Sequence, residues 1–419
     1  MNEILCDVAV VGAGPAGLAA AAAAKKQGAK RVIVIERDAA PGGILLQCIH
    51  PGFGLSYFKE ELTGPEYASR FAQAAKAAGV EFMTDVTVLE VGDGYLRCIG
   101  AACGLVEVRA GAVVLAMGCR ERTRGSIRTP GTRPAGVYTA GAGQRLVNRQ
   151  NLMIGKKIVI LGSGDIGMIM ARRLTLQGAK VEAVVELLPY LAGLTRNRVQ
   201  CLDDFDIPLL LSHTVTEIRG HRRVEAVKIA AVDAKRQVVP GTERVIECDT
   251  LLLSVGLIPE NELTRAAGIA IDRVTNGPAV NQYMQTSLAS VFACGNVVHV
   301  NDLVDNVSRE SEQAGRSAAK FAQGILPKAR EVNCRAAAGV RYVVPQRIVL
   351  SGEDEDLTLY FRVLAPGGAS TLAAAQPGKA LASRKVRRVS PGEMEHLNLK
   401  STALGDGDIE VSLAAEEVK

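Results

Sequence analysis

The chain opens on short, unbroken apolar runs that alternate with longer helical stretches, the pattern of β-α-β folding. Residues 8–11 are apolar throughout, as in a strand buried on both faces of a parallel sheet. An alanine-rich stretch then runs to Gln27, where Gly28 supplies a C-terminal stop, and residues 31–35 predict a second strand ending at Glu36. Helical spacing returns over residues 64–79. Residues 80–91 predict a strand, 95–99 and 106–110 a hairpin, and 113–117 an apolar strand ending at Gly118. Residues 157–186 repeat the opening pattern. Strands are then expected at 207–211, 214–218, 224–232 and 245–248, with 249–255 leading back to the first domain and a helix over 307–324. Beyond Pro327 the pattern changes to strands at 341–344, 357–363, 380–389 and 409–413, parted by Gly, Pro and Asp turns. The fold class predicted is α/β: two Rossmann-like domains plus a small β-sandwich-like C-terminal domain. The domain bounds expected are 1–118 with 256–330, 119–255, and 335–419.

The turns between these elements carry the chemistry. Gly12-x-Gly14-x-x-Gly17, with Pro15 and Ala16 inside it, joins the first strand to the first helix. In such a turn Gly12 allows the tight bend, Gly14 lets backbone approach a pyrophosphate, and Gly17 lets helix and strand pack closely. The helix N-terminus offers free N–H groups and positive dipole to phosphate, and Glu36 can accept from ribose hydroxyls. A lone glycine fingerprint is weak. Here strand, helix and acidic residue stand at the right distances. Gly162-x-Gly164-x-x-Gly167, with Asp165 and Ile166 inside it, lies 150 positions later; Gln177-Gly178-Ala179-Lys180 copies Gln27-Gly28-Ala29-Lys30, and Glu186 matches Glu36. Two fingerprints in one register imply two dinucleotides on one chain. Gly42 and Gly43, just after Glu36-Arg37, let backbone run close to a second phosphate or to the ring system of the first cofactor. Glu186 would repel a 2′-phosphate, and Leu187-Leu188-Pro189-Tyr190 holds no arginine to bind one, so NAD(H) is expected over NADP(H).

Composition narrows the classes. A chain of 419 residues exceeds one core, and 48% hydrophobic with 4% aromatic and no Trp suits an aliphatic α/β interior rather than a base-stacking surface. A net charge of +5 with scattered basic residues argues against nucleic-acid binding. No apolar run reaches membrane-spanning length, and no signal peptide precedes the first strand. Nine cysteines without a secreted-type framework point to a cytoplasmic protein.

The motifs together resemble the pyridine nucleotide–disulfide oxidoreductases, two-dinucleotide flavoproteins, over about residues 4–328. The resemblance rests on both glycine fingerprints with their glutamates, on Ala116-Met117-Gly118, on Leu253-Ser254-Val255-Gly256, and on Thr286-Ser287 through Gly295-Asn296. It implies FAD at the first site and NAD at the second. Val86, Arg37, Gly118, Gly256 and Asn296 join the expected cofactor-binding residues. Asn296 stands where the family usually has an aspartate bonded to the flavin ribityl chain, and brings no charge there. The stretch from Gly118-Cys119-Arg120-Glu121-Arg122 to Gly141 resembles FAD/NAD subunits of hetero-oligomeric dehydrogenases and oxidases, such as opine oxidases, hydrogen cyanide synthase and a group accompanying glycerol-3-phosphate dehydrogenases. A partner dehydrogenase subunit, oligomeric assembly, and electron transfer linked to glycerol 3-phosphate or amino-acid oxidation are what this implies. Relatives often carry an iron–sulfur cysteine cluster. With only Cys334 beyond Cys294, neither a cluster nor another metal site is expected here. The helix over 307–324 would aim Ser308, Arg309 and Glu310 at the flavin pyrimidine edge, with Arg316 and Lys320 on a solvated face.

The cysteines argue against the dithiol chemistry in the family's name. Only Cys48 follows Gly42-Gly43, none lies in 130–155, and Cys98 and Cys103 fall in the expected hairpin. Two other readings stand beside the partner-linked enzyme. One is a stand-alone NADH oxidase or peroxidase using a Cys48 thiolate near His50. The other is a cofactor-bearing structural subunit with little turnover. The C-terminal β region is expected to dock a partner or a second copy.

Overall fold

The computed structural model describes residues 2–415. The chain divides into two compact units: one of residues up to Cys119 and from Pro259 onward, the other Arg120–Ile258. The crossings thus fall a residue or so beyond the expected 118 and three beyond the expected 255. The strand over 249–255 explains the second shift. Instead of returning the chain to the first domain, Thr250–Leu253 lies parallel to Lys157–Leu161, Thr250 opposite Ile158 and Leu253 opposite Leu161, buried at all four positions.

The first unit is built on a sheet in the order Glu81–Met83, Val32–Ile35, Asn2–Val11, Gly104–Leu115. These three pairings are parallel, with Val8 opposite Val32 and Ala112. Gly104–Leu115 is a single strand where the apolar pattern suggested two. Its first half pairs with Tyr95–Gly100 in the hairpin, and its second half with Val291–Ala293. The expected 80–91 strand is in fact two, Glu81–Met83 and Val86–Gly92, because Asp85 turns through a left-handed conformation (φ 55°). Helix Pro15–Lys26 is buried continuously from Ala16 to Ala24, which explains its alanines: there is no solvent face to fill. Helix Val304–Ala322 crosses it so closely that a Cβ on Gly315 would fall 2.0 Å from the Ala20 carbonyl oxygen. Gly64–Ala77 begins at a capping box, Thr63 with Glu66.

The β-rich region belongs to this same unit. Its five-stranded sheet runs Arg347–Val349, Glu331–Ala336, Ile409–Ala415, Ser370–Gln376, Lys379–Val386, and a three-stranded sheet runs Val340–Val344, Asp356–Val363, Glu395–Lys400. Burial alternates residue by residue along Asp356–Val363, Ser370–Gln376 and Glu395–Lys400, and Leu359, Phe361, Leu372 and Ile409 fill the core between the sheets.

The second unit repeats the Rossmann pattern. Its sheet order is Leu209–Leu210, Lys180–Val185, Lys157–Leu161, Thr250–Leu253, Val137–Thr139, parallel throughout, with helix Asp165–Leu176 after the central strand. An antiparallel sheet of His213–Arg219, Ala226–Ala231 and Arg244–Glu247 accompanies it.

Candidate functional site

Both glycine turns fold alike. Gly12 and Gly162 take φ of 101° and 96°, conformations that disfavour a side chain. A Cβ on Gly17 would stand 1.8 Å from the Gly12 carbonyl oxygen, and one on Gly167 2.6 Å from Ser254 Cβ. These glycines set how closely helix approaches turn. Gly14 and Gly164 are the helix N-caps, extended and without a side-chain cap, which leaves first-turn N–H groups of Pro15–Lys26 available, while in Asp165–Leu176 Gly167 N is taken by Ser254 Oγ. A Cβ on Gly14 would meet nothing within 4 Å, leaving clear space before those donors. An anionic diphosphate fits this cradle by charge and by shape.

The first unit gathers the expected residues around its turn. The buried Glu36 carboxylate accepts from Ala13 N (2.7 Å) and Asp38 N (2.8 Å), which leaves lone pairs for a ribose. Val86 N donates to Glu36 O, and Gly42 N to Ala13 O. Gly43 lies so near that its Cβ would come 2.9 Å from Gly14 Cα. Ala116 N donates to Val11 O, its own oxygen would be 2.7 Å from a Gly12 Cβ, and Gly295 is packed on Ala16. Met117 is partly buried against this core, Gly118 accepts from Glu260 N, and Arg37 is exposed. Asn296 accepts from Asn301 N (2.9 Å) through Oδ1 and donates to Cys119 Sγ (3.6 Å).

In the second unit Glu186 is more heavily engaged. It is buried and accepts from Ser163 N (2.8 Å), Ser163 Oγ (2.7 Å) and Leu188 N (2.8 Å). Ser163 also takes Ala192 N on its Oγ. Asp165 Oδ1 accepts from Leu194 N and Asn197 Nδ2, so it pins the 188–197 segment. Gly256 has φ 102° and its carbonyl accepts from Arg122 N. Ser254 receives Gly167 N on its Oγ. Ser163 and Ser254 bond to the candidate site's residues and were not revealed by the glycine spacing, though Ser254 stands in the Leu253–Gly256 motif.

Three expectations change. Helix Val304–Ala322 starts three residues before the expected 307, so Ser308, Arg309 and Glu310 sit in its second turn rather than at its N-terminus. The first turn holds Asp305, whose buried carboxylate takes Gly54 N, Ser56 N and Oγ, and Tyr57 N. Arg316 and Lys320 are only half exposed, and Arg316 donates to Gln313 Oε1. Cys48 is buried behind the start of Gly64–Ala77, its thiol donating to Ile44 O (3.4 Å), and burial pushes it up to about 12. That favours the thiol over the thiolate a peroxidatic role needs. His50 Nδ1 faces the Pro51 carbonyl. Cys48→Ser is expected to leave NADH-dependent flavin reduction and any oxygen consumption within about twofold of the parent, as for a residue that only packs; a loss of oxidase activity in an oxygen electrode would restore the thiolate reading.

Similarity to known proteins agrees with this geometry. The chain is 27% identical over 344 residues to an opine oxidase subunit from Agrobacterium tumefaciens, covering 76% of this chain but 66% of that one, so it spans under two thirds of that relative. It is 27% identical over 300 residues to thioredoxin reductase of Bacillus subtilis, covering 71% and 88%. The solved thioredoxin reductase of T. acidophilum shares the fold, with a TM-score of 0.62 at 24% identity over 77% of this chain and 99% of that one. No helix among the described residues is long and apolar enough to cross a membrane. The model of the pyridine nucleotide-disulphide oxidoreductases matches residues 6–324, three quarters of the chain. The chain therefore belongs to that family of FAD- and NAD(P)-dependent oxidoreductases.

Proposed function

We propose that this protein passes a hydride between NADH and FAD and exchanges the electrons with a partner protein or small acceptor. When bound, FAD would supply a two-electron acceptor: loss of a hydride leaves NAD⁺, and the hydride with one proton from solvent gives the reduced flavin. The chain's part is to hold and orient. In the first unit Gly12, Gly14, Gly17 and the Pro15–Lys26 N-terminus would bind the FAD diphosphate, Glu36 the adenosine ribose, and Gly42, Gly43, Ala116, Met117, Gly118 and Gly295 the path of the cofactor. Asn296 would contact the ribityl chain. In the second unit Gly162, Gly164, Ile166 and Gly167 would receive the NAD diphosphate, while Glu186 sets preference for a free 2′-hydroxyl. The observation that carries the reading is the duplicated site: two helix N-termini with a glycine N-cap, each behind a left-handed glycine and beside a buried glutamate.

Disulfide reduction is not part of the proposal. Cys98 is fully buried with its thiol pushed up to about 12, and Cys48 stands alone after the double glycine. A partner protein is favoured by similarity to a chain named as one subunit of an opine oxidase; by that likeness the substrate side would be oxidation of an amino-acid derivative. Anaerobic NADH should bleach the purified yellow protein, with NADPH markedly less effective. A cofactor-bearing scaffold would not bleach. Steady NADH-driven reduction of an aromatic disulfide, lost in Cys98→Ser, would overturn the exclusion of dithiol chemistry.

A further inference from the structure

The carboxylate of Glu310, in the second turn of Val304–Ala322, is buried and divided between two partners. Its Oε1 accepts from Gly295 N (2.8 Å), and its Oε2 receives His299 Nε2 (2.6 Å). His299 is itself fully buried, and its other ring nitrogen, Nδ1, has no hydrogen-bond partner among the described residues. The rings of Tyr342 and Tyr360, from the β-rich region, lie 6.0 and 6.2 Å from the imidazole. Arg362 reaches the same loop by donating to Val300 O, and Asp302 accepts from Met394 N. One carboxylate therefore ties both ends of the short turn 295–299 to a long helix, and the β-rich region covers the tie.

The turn also closes on itself, with Val298 N and His299 N donating to Gly295 O, and Asn261 Nδ2 donates to Val297 O; the Glu310 carboxylate adds the tie at the Gly295 N–H. Gly295 is left-handed (φ 71°) and pressed on Ala16, while the Asn296 side chain accepts from Asn301 N and donates to Cys119 Sγ. We propose that the Glu310–His299 pair, sealed by the β-rich region, positions the Gly295–Asn296 turn to receive FAD. The inference rests on the reading that Asn296 contacts the ribityl chain. It gives the β-rich region a part in the flavin site, beyond the partner docking expected of it. Glu310 acts through the turn and is a positioning residue. Both of its carboxylate oxygens are hydrogen-bonded, as burial requires.

FAD titration into the apoprotein, followed by flavin fluorescence, tests the pair in the full chain. Glu310→Ala strands Gly295 N, and the dissociation constant for FAD should rise at least about tenfold. Glu310→Gln should recover to within about threefold, since its amide oxygen can accept from Gly295 N while its amide nitrogen donates to His299 in the other tautomer. Leu372→Ala, in the core of the β-rich region but on the five-stranded sheet, serves as the stability control and should lower the melting temperature without weakening FAD. Should Glu310→Ala not fold, His299→Ala decides: it unpins the carboxylate and should weaken FAD at least about threefold. Normal binding by the alanine variants, or a glutamine variant as damaged as Glu310→Ala, overturns the proposal. If Asn296→Ala weakens FAD while Glu310→Ala does not, only the pair's role fails; if Asn296→Ala has no effect, the ribityl assignment fails and takes the proposal with it.

Discussion

Gly17→Ala should cost the first unit about 3 kcal/mol or more and yield protein without bound flavin. The new Cβ would stand 1.8 Å from the Gly12 carbonyl oxygen and 3.0 Å from its carbon, so helix Pro15–Lys26 must move off the turn. Backbone against backbone has no flexible end to yield, which places the cost at the upper range for overpacking. The helix cannot move cheaply, since Ala16–Ala24 is buried all round and Gly315 is packed on Ala20. Gly14→Ala separates the two meanings of the motif. Gly14 is extended (φ −70°, ψ −178°), a conformation alanine adopts freely, and its Cβ would meet nothing within 4 Å. Stability should change by under about 0.5 kcal/mol. The methyl would nevertheless stand in front of the helix N–H groups, and FAD affinity should fall about a hundredfold as the diphosphate is held away from them. Urea unfolding and flavin content of the purified variants check both. If Gly14→Ala keeps its flavin, the diphosphate does not approach the turn at that point.

The duplicated core was legible because its constraints are local. A glycine that must be left-handed, a third glycine under a carbonyl, and a glutamate one strand later all lie within about 25 residues, and their spacing survives in the linear chain. What the pattern missed depends on partners brought from afar. Thr250–Leu253 reads as an apolar strand in either unit; only its pairing with Lys157–Leu161 decides. The break at Asp85 follows from the Glu36 backbone holding Met83 O on one side and Val86 N on the other. In the β-rich region, Ser370–Gln376 is small and weakly apolar, so its alternation appears only once burial is known. Asp305 sits at the helix start because it caps the 54–57 turn, some 250 positions earlier, and no helical periodicity reports that. Glu310 stood out only as part of the expected helix start, and its pairing with His299 was hidden for the same reason. As sequence they are two polar residues among many, and their pairing depends on the fold.

The choice between the two nicotinamide cofactors should rest on one buried charge. Glu186 is buried and receives three hydrogen bonds, so its carboxylate is fixed in place and poorly screened by water. An NADPH 2′-phosphate brought beside it would meet a like charge at short range, where unit charges about 4 Å apart interact by up to about 4 kcal/mol at an effective dielectric near 20. Glu186→Gln keeps the shape and removes the charge. The ratio of kcat/KM for NADPH to that for NADH should rise about tenfold or more, short of full reversal because 187–190 offers no arginine to pair the phosphate. Ser163→Ala is the companion. It removes the hydroxyl bond to Glu186 and the acceptor for Ala192 N but leaves the charge, so activity should fall for both cofactors while the ratio holds. Steady-state kinetics with each nucleotide distinguish the two variants. If Glu186→Gln raises KM for NADH and leaves the ratio unchanged, Glu186 serves to fasten the 188–193 loop, and selection between the cofactors lies elsewhere.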